Sequence, residues 1–226
     1  MVEEAIRSGL RFHAVLFQES ALTSAQRLLP QIGAQVETVV LPDNLFASLV
    51  PSETPQGVAA LVRYHQYSLA EVLARLQAGP VIVVAGLQDP GNLGTILRSA
   101  EAFGAGGVLL GEGTVSAFNP KVVRGSAGSI FRLPMVRVKL ATTMAQLREH
   151  GLRLVATSSH KGLALPEADL SRPLAVFIGS EGGGLTRELL GQMDEILAIP
   201  HAPQVESLNA GVAASIVLYE AAKQRS

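Results

Sequence analysis

From Val81 onwards, the chain alternates short apolar stretches with longer amphipathic ones. The apolar stretches read VIVVAGL, GGVLLG, RLVATSS, LAVFIGS and EILAIP, and four of the five are rich in β-branched residues or leucine with little polar alternation. This pattern is typical of strands that are buried on both faces of a parallel sheet. We therefore expect an α/β fold, with a mostly parallel sheet and helices on both faces.

Amphipathic stretches predict the helices between these strands. The first helix covers residues 92–103, and Gly104 is expected to end it. Its core-facing stripe has the i, i+3, i+4 spacing and consists of Leu93, Ile96, Leu97, Ala100 and Phe103. A second helix follows Asn119-Pro120, a third covers TTMAQLREHG with a Thr143/Gln146 capping box, and a fourth covers TRELLGQM. The last helix closes the chain; Ser207 is its expected N-cap, and Asn209 lies inside its first turn.

Shorter elements ahead of Val81 predict a small α/β domain over residues 1–66. They are a helix over 2–8, the strand RFHAVLFQ, a helix SAQRLLPQI interrupted by Pro30, the strand QVETVVL, a short helix from Asp43 and the strand GVAALVR. A linker helix over 67–79, opened by a Ser68/Glu71 capping box, is expected to join this domain to the main domain over 80–226.

Composition narrows the class of protein. The 226 residues are 48% hydrophobic and 16% charged, enough to bury a sizeable core. There is no cysteine, and the five histidines show no ligand spacing, so we expect no disulfide and no metal site. No apolar run approaches the roughly 20 residues of a membrane span, and the acidic N-terminus MVEEAIRSGL is unlike a signal peptide. A cytoplasmic protein without membrane contact is expected.

The charge is unevenly distributed along the chain. Between Lys121 and Lys161 there are eight basic residues and one acidic residue, although the whole chain has a net charge of −1. Such a local surplus is what an RNA phosphate backbone would use; the alternative is an uneven surface that averages out in three dimensions. Because 4% of the residues are aromatic and tryptophan is absent, a base-stacking platform is not expected.

Three loops follow the carboxyl ends of apolar strands, which is where open parallel sheets bind ligands. They read LQDPGNLG, GSEGGGL and IPHAPQVESLN. By contrast, the glycines of FGAGG follow a helix and precede a strand, the reverse of a dinucleotide-binding motif. Arg98 lies two turns beyond the first loop and off the apolar stripe, so it is either a solvated arginine, paired with Glu101, or an arginine directed at a ligand.

The segments NLGTILRSAEAFGA, FIGSEGGGL and IPHAPQVESLNAGVAASIVLYEA resemble the three motifs of the SpoU (TrmH-type) RNA 2′-O-ribose methyltransferases of the SPOUT superfamily. The similarity extends through NPKVVRGSAGSIFRLP. Upstream, SETPQGVAALV resembles the end of a small ribosomal-protein-like RNA-binding domain that many members carry. The additional opening strand of that domain is not seen here, so we expect its RNA-binding surface to be incomplete. The loop PHAPQVES departs from the more common PM-x-G version.

This resemblance implies an α/β knot whose C-terminal segment threads through a loop, with S-adenosylmethionine bound among the knotted loops. Gly179, Ile199 and Leu208 match residues that contact this cofactor, and Thr157 is a further candidate for the same pocket. Arg98 matches the arginine beside the 2′-oxygen, and we favour a role in gripping phosphate over that of an assisted base. The residues that orient Arg98 and the substrate are Asn92, Glu181, Ser207 and Asn209; the candidates for RNA contact are Arg98, Arg124 and Lys121.

The implied reaction transfers a methyl group from S-adenosylmethionine to a ribose 2′-hydroxyl of structured RNA, without a metal. Ribosomal RNA is favoured over transfer RNA because the front domain resembles that of ribosomal-RNA methylating members. The resemblance also implies a homodimer in which the neighbouring chain completes each site. Two alternatives stay open: a base-nitrogen RNA methyltransferase of the same superfamily, and a non-catalytic RNA-binding or ribosome-assembly protein that retains the knot.

Overall fold

The computed structural model describes residues 1–50, 55–76, 79–159 and 161–225. The chain divides into two compact units, Met1–His65 and Gln66–Ser226. Residues 52–54 of the segment SETPQGVAALV and residues 77–78 of the predicted linker helix lie outside the described residues. No helix in the described part of the chain is both long enough and apolar enough to cross a membrane.

The first unit is a three-stranded sheet with short helices. The central strand β1 pairs in parallel with β2 and antiparallel with β3. Its core consists of Val15 and Phe17 from β1 together with Leu28 and Ile32. The elements in chain order are α1 (Val2–Arg7), β1 (Arg11–Gln18), α2 (Leu22–Ala25), β2 (Glu37–Leu41), α3 (Asp43–Leu49) and β3 (Val58–Arg63).

The helix predicted over SAQRLLPQI is replaced by two shorter elements. An α-helical turn, Leu22–Ala25, is followed by a 3₁₀ segment, Gln26–Gln31. Pro30 lies inside the 3₁₀ segment. Proline has no N–H to donate, and its ring clashes with the carbonyl four residues earlier in an α-helix. The helix that we predicted to be interrupted at Pro30 is therefore α-helical only over Leu22–Ala25 and continues as a 3₁₀ segment that contains Pro30.

The second unit is a parallel α/β domain, as predicted. Its seven strands have the order β6-β5-β4-β9-β7-β10-β8, and every pair in this sheet is parallel. The strands are β4 (Val81–Val84), β5 (Gly107–Leu110), β6 (Met135–Arg137), β7 (Arg153–Ser158), β8 (Leu163–Ala164), β9 (Leu174–Ile178) and β10 (Glu195–Ala198). The helices are α4 (Leu69–Leu73), α5 (Pro90–Ala102), α6 (Pro120–Gly125), α7 (Leu140–Glu149), α8 (Arg187–Leu190) and α9 (Ala210–Lys223).

The burial of strand β4 on both faces of the sheet accounts for its continuous run of apolar residues. All four of its residues are buried. Val81 and Val83 belong to a core cluster that also contains residues of α4 and α7, including Val72 and Leu147. Because successive side chains in a strand point to opposite faces, the intervening Ile82 is buried towards the other face of the sheet. Strands β6 and β8 were not predicted, since three and two residues are too few to show a pattern.

Two predicted helix starts were wrong. Helix α7 begins at Leu140, one turn before the proposed Thr143/Gln146 capping box, and Thr143 is buried within the helix. The Leu140 N–H donates instead to the Glu112 carboxylate at 3.1 Å. Helix α9 begins at Ala210, and its N-cap is Asn209 rather than Ser207. By contrast, the Ser68/Glu71 capping box at the start of α4 is confirmed.

Close helix packing sets the position of α5. A Cβ atom on Gly94 would lie 2.9 Å from the backbone of Gly125 in α6, so these two helices cross at backbone distance. On the α9 side, a Cβ atom on Gly211 would lie 3.0 Å from Thr95. The Ser99 and Ser215 hydroxyls are 2.6 Å apart and join α5 to α9 directly. Gly104 ends the α5 segment with a left-handed φ of +69°, as predicted.

Candidate active site

A cavity of about 730 Å³ opens at the carboxyl ends of the central strands. Strands β4, β9, β7 and β10 are neighbours in the parallel sheet, so their following loops meet at one edge. The volume lies within the roughly 300–1,000 Å³ of small-molecule sites. The predicted residues that line the cavity are Thr157, Gly179, Glu181, Ile199, Ser207, Leu208 and Asn209.

The chemistry of the cavity lining fits S-adenosylmethionine. Ile178, Leu185 and Leu208 supply apolar surface on which a flat purine can lie. The carboxylates of Glu181 and Glu206 offer acceptors and negative charge for a sulfonium and an ammonium group. The cavity lining therefore combines apolar walls with a few polar groups, as in most cofactor sites.

The glycine-rich loop after β9 is folded back on itself. Ser180 and Gly184 exchange backbone hydrogen bonds of 3.1 and 2.9 Å, and Gly184 has a φ of +62°. A Cβ atom on Gly179 would lie 2.2 Å from the Gly184 carbonyl carbon, so only glycine fits there. A Cβ atom on Gly182 would meet nothing within 4 Å. The loop therefore places unobstructed backbone at the cavity wall.

Three side chains from the three sequence motifs form a hydrogen-bonded chain. The Asn92 Nδ2 donates to Glu181 Oε1 at 3.0 Å, and the Asn209 Nδ2 donates to Asn92 Oδ1 at 2.7 Å. Asn209 Oδ1 in turn accepts from the backbone N–H groups of Gly211 and Val212 at the start of α9. Asn92 is buried, whereas Glu181 and Asn209 are exposed to the cavity side.

The charge of Glu181 fixes which groups donate and which accept in this series of hydrogen bonds. Partial burial raises the pKa of the Glu181 carboxyl, but hydrogen bonds from the Asn92 side chain and from backbone N–H groups outweigh burial and leave the pKa below 4.5. An ionised carboxylate only accepts, so the Asn92 amide nitrogen must face it. The Asn92 oxygen then faces the Asn209 nitrogen, which leaves the Asn209 oxygen for the helix. The Glu181 carboxylate at one end and the N–H groups of α9 at the other therefore determine the orientation of both asparagine amides.

Ser207 lines the cavity but takes no part in the hydrogen bonds between Glu181, Asn92 and Asn209. Its hydroxyl makes no hydrogen bond with any residue that the structure describes, and it is exposed. The structure therefore brings Ser207 to the cavity and leaves its hydroxyl available to a ligand.

Arg98, Lys121 and Arg124 lie outside the cavity lining, on the exposed surface of α5 and α6. Arg98 follows Asn92 by six residues, about 9 Å along the helix axis. It is one turn from Gly94, where α5 meets α6 next to Arg124. Within the described ranges, none of the three cationic groups has a hydrogen-bond or ion-pair partner in the chain. They are exposed cations on two helices that pack against each other, and we call these three residues the α5–α6 cationic surface.

Three of the eight basic residues between Lys121 and Lys161 are paired with carboxylates from other parts of the chain. The ion pairs are Arg132 with Glu101, Arg148 with Asp194 and Arg153 with Glu195. Arg137 donates to the Thr114 carbonyl at 3.2 Å. The alternative of a charge that averages out in three dimensions is therefore correct for Arg132, Arg148 and Arg153. The suggested Arg98–Glu101 pair does not form, because Glu101 is paired with Arg132.

Sequence reasoning missed several residues of the cavity. His201 lines it and holds its own loop closed, since its ring nitrogens lie 2.6 Å from the Ile199 carbonyl and 3.1 Å from the Val205 carbonyl. Leu190 and Ala213 also line it. A lone histidine between loop residues carries no pattern, so no sequence signal could identify it. In the described part of the chain, no cluster of three or more acidic or histidine side chains is arranged to hold a metal ion.

Comparison with known proteins agrees with these motifs. The SpoU rRNA methylase family model matches residues 79–219. RlmP of Bacillus subtilis, a 23S rRNA (guanosine(2553)-2′-O)-methyltransferase, is 34% identical over 219 residues, which cover 97% of this chain and 84% of RlmP. The crystal structure of the SpoU methyltransferase AviRb from Streptomyces viridochromogenes in complex with AdoMet superposes with a TM-score of 0.87 at 30% identity, covering 99% of this chain and 87% of AviRb.

A second solved structure covers less of the chain. The A. aeolicus TrmH/SpoU tRNA modifying enzyme superposes with a TM-score of 0.56 at 27% identity, and covers 69% of this chain and 79% of its own. The family match covers more than half of the residues, and RlmP is similar along nearly the whole chain. This chain therefore belongs to the SpoU rRNA methylase family.

Proposed function

We propose that this protein transfers a methyl group from S-adenosylmethionine to a ribose 2′-hydroxyl of structured RNA. The observation that carries the proposal is the hydrogen-bonded chain from Glu181 through Asn92 to Asn209. It links the three family motifs beside a cavity of cofactor size, with the exposed Arg98 farther along the same helix as Asn92.

The cofactor is held by the cavity residues Gly179, Ile199 and Leu208, together with Thr157. When bound, it supplies an electrophilic methyl group on a sulfonium sulfur. The ionised Glu181 sits at the wall and balances positive charge. The apolar residues exclude water from the methyl group, which limits hydrolysis and strengthens local electrostatics.

The chain's own residues align the nucleophile. Arg98 grips a phosphate of the RNA and offsets the negative charge that develops on the ribose 2′-oxygen as its proton departs. The proton of the hydroxyl leaves to solvent or to an assisted base. The Asn209–Asn92 hydrogen bond joins the start of α9 to the start of α5, which fixes the helix that carries Arg98.

Arg98 lies outside the cavity of its own chain, which supports a homodimer in which the neighbouring chain completes each site. Exposed apolar residues of α9, Val212 and Tyr219, supply surface for such an interface. The threaded C-terminal segment belongs to the same proposal. It is supported by the meeting of the loops after β9 and β10 at one cavity.

Ribosomal RNA is the proposed substrate class. The support is the share of this chain that relatives with a named RNA cover, which is 69% for the A. aeolicus tRNA modifying enzyme. RlmP, which acts on 23S rRNA, is similar along 97% of the chain. The unit Met1–His65 is accordingly proposed to be a ribosomal-protein-like RNA-binding domain.

The decisive experiment measures cofactor binding and the chemical product. Calorimetry with S-adenosylmethionine is expected to give one site per chain, and RNA methylated by the purified protein is expected to yield 2′-O-methylnucleosides on digestion. A base-methylated nucleoside would replace the ribose target with a base nitrogen. Absence of binding heat and of transfer would favour a non-catalytic RNA-binding protein. Comparing ribose-methylated positions in RNA from cells with and without the gene would identify the substrate.

A further inference from the structure

Glu101 is an acidic residue of α5 that is positioned to pair with Arg98 of the α5–α6 cationic surface. It follows Arg98 by three residues on α5, the spacing at which side chains on a helix meet. A carboxylate at that position would bind the guanidinium that the proposed function needs for RNA phosphate. In the structure, however, Arg98 has no such partner among the described residues.

Arg132, from the segment after α6, binds both oxygens of the Glu101 carboxylate. Its Nε donates to Oε1, and its Nη2 donates to Oε2 at 2.9 Å. This two-pronged geometry suits a guanidinium and uses both oxygens of the carboxylate. The hydrogen bond from Arg132 is the main reason that the pKa of Glu101 lies below 4.5; burial raises the pKa, and a hydrogen bond involving buried Ser129 lowers it further. Glu101 is thus ionised, and its charge is already balanced.

We propose that Arg132 is a positioning residue for RNA methylation: by holding both oxygens of Glu101, it keeps Arg98 free to bind RNA phosphate. This inference rests on the proposed function. It also explains why an arginine stands at position 132, since a lysine would engage one oxygen and leave the other to Arg98.

A double-mutant cycle tests this role. Arg132→Met is expected to lower kcat/KM for RNA about tenfold, mainly through KM, because the released carboxylate competes with phosphate for Arg98. Glu101→Gln alone is expected to stay close to wild type. Adding Glu101→Gln to Arg132→Met removes the competing charge and is expected to restore kcat/KM to within about threefold of wild type. Arg132→Lys should lie between Arg132→Met and wild type.

Other roles of Arg132 give a different result. If Arg132 contacts RNA itself, or only joins two segments of the fold, the double variant stays as slow as Arg132→Met, and the inference is overturned. Cofactor affinity by calorimetry and the melting temperature show whether each variant is folded. The cofactor affinity is expected to be unchanged in all four variants.

A structural measurement decides the inference independently of activity. In crystals of Arg132→Met, the Glu101 carboxylate is expected within about 4 Å of the Arg98 guanidinium, the distance of an ion pair. A carboxylate that stays away from Arg98 would contradict the inference even if the activity falls. If the wild type transfers no methyl group to RNA, the proposed function fails, whereas this measurement still decides whether Arg132 keeps Glu101 from Arg98.

Discussion

At the scale of single residues, the site depends on two asparagines, each of which hydrogen-bonds through both its amide nitrogen and its amide oxygen. Asn92 is buried and uses its nitrogen for Glu181 and its oxygen for Asn209. Asn209 uses its oxygen for the start of α9. Arg98, in contrast, makes no hydrogen bond with the described residues and is exposed. The two asparagines therefore maintain the geometry of the site, and Arg98 is available to the substrate.

Replacement of Arg98 should separate binding from chemistry. Arg98→Ala is expected to bind S-adenosylmethionine as wild type does, because Arg98 does not line the cavity. Methyl transfer should fall by about 10²–10³, the range seen when a group that stabilises a developing oxyanion is removed. The measurement is the rate of labelled methyl incorporation into RNA. The control is Arg172→Ala, an arginine paired with Asp169 on the surface; a wild-type rate for Arg98→Ala would show that Arg98 has no role.

Asn209 carries two roles that a pair of substitutions can separate. Serine can cap a helix, but it has no nitrogen to donate to Asn92. We therefore expect Asn209→Ser to keep most of the stability and lose methyl transfer, and Asn209→Ala to lose in addition about 1 kcal/mol of unfolding free energy. Urea unfolding and methyl-transfer rates measure the two effects. Equal activity of wild type and Asn209→Ser would show that the bond to Asn92 is dispensable.

The lowered pKa of Glu181 gives a pH dependence with a definite sign. A carboxyl whose pKa is lower in the folded state stabilises the fold above its unfolded pKa of about 4.5, and this stabilisation is lost as the pH falls through the folded value. Asn92→Ala removes a hydrogen bond that lowers this pKa. The variant is therefore expected to lose less stability than wild type when the pH falls below 4.5.

Urea unfolding at neutral pH and at a series of acidic pH values measures this difference. At neutral pH, Asn92→Ala should already be less stable by about 1–2 kcal/mol, because a buried hydrogen-bonding side chain is removed. In a Glu181→Gln background, Asn92→Ala should leave the shape of the pH profile unchanged. A profile for Asn92→Ala parallel to that of wild type would mean that Glu181 does not respond to Asn92.

At the scale of elements, α5 is held between two helices at glycine positions. Gly94 meets Gly125 of α6, and Gly211 of α9 meets Thr95. These contacts set the direction of α5, and with it the placement of Arg98 relative to Asn92. The elements predicted from apolar patterns were confirmed for five strands of the main sheet and for α5, whereas the starts of α7 and α9 were predicted wrongly and the two shortest strands were not predicted.

Gly94→Ala tests the α5–α6 contact. Alanine ordinarily favours a helix over glycine by roughly 0.5–1 kcal/mol. Here its Cβ would lie 2.9 Å from backbone atoms of Gly125, which cannot move aside as a side chain can. We expect a net loss of about 1–3 kcal/mol, typical of overpacking, and a lower melting temperature.

Gly182→Ala is the matched control, because a Cβ atom there meets nothing within 4 Å. Its melting temperature should equal that of wild type. If Gly94→Ala were as stable as this control, the helices would have to tolerate a wider separation than the structure shows.

At the scale of the whole molecule, the proposed dimer makes a prediction about mass. Light scattering at micromolar concentration is expected to give about twice the 23.7 kDa of one chain. Val212→Asp, on the exposed face of α9, should give monomers that transfer methyl groups slowly. Leu61→Asp, at an equally apolar exposed position in the first unit, should remain dimeric. A monomeric wild type with full activity would contradict a site completed by the neighbouring chain.

The sequence by itself determined the α/β class, the family motifs and the residue types at the cavity. These features depend on local properties, namely runs of apolar residues, glycines after strands and the spacing from Asn92 to Arg98. The tertiary structure alone decided which charges remain uncompensated. Arg132, Arg148 and Arg153 look like an RNA-binding surplus in the chain, yet acidic partners distant in sequence balance them.

The same distinction holds for the helix starts. Glu112 contacts the start of α7 from 28 residues earlier in the chain, so a cap sought among the residues next to the helix was placed at Thr143. The hydrogen bonds of Asn92 join it to Glu181, 89 residues away in the sequence, and to Asn209, 117 residues away. Hydrogen bonds and ion pairs act over a few ångströms in space regardless of separation along the chain. Only the folded sheet, which brings the strand ends to one edge, determines which polar groups meet.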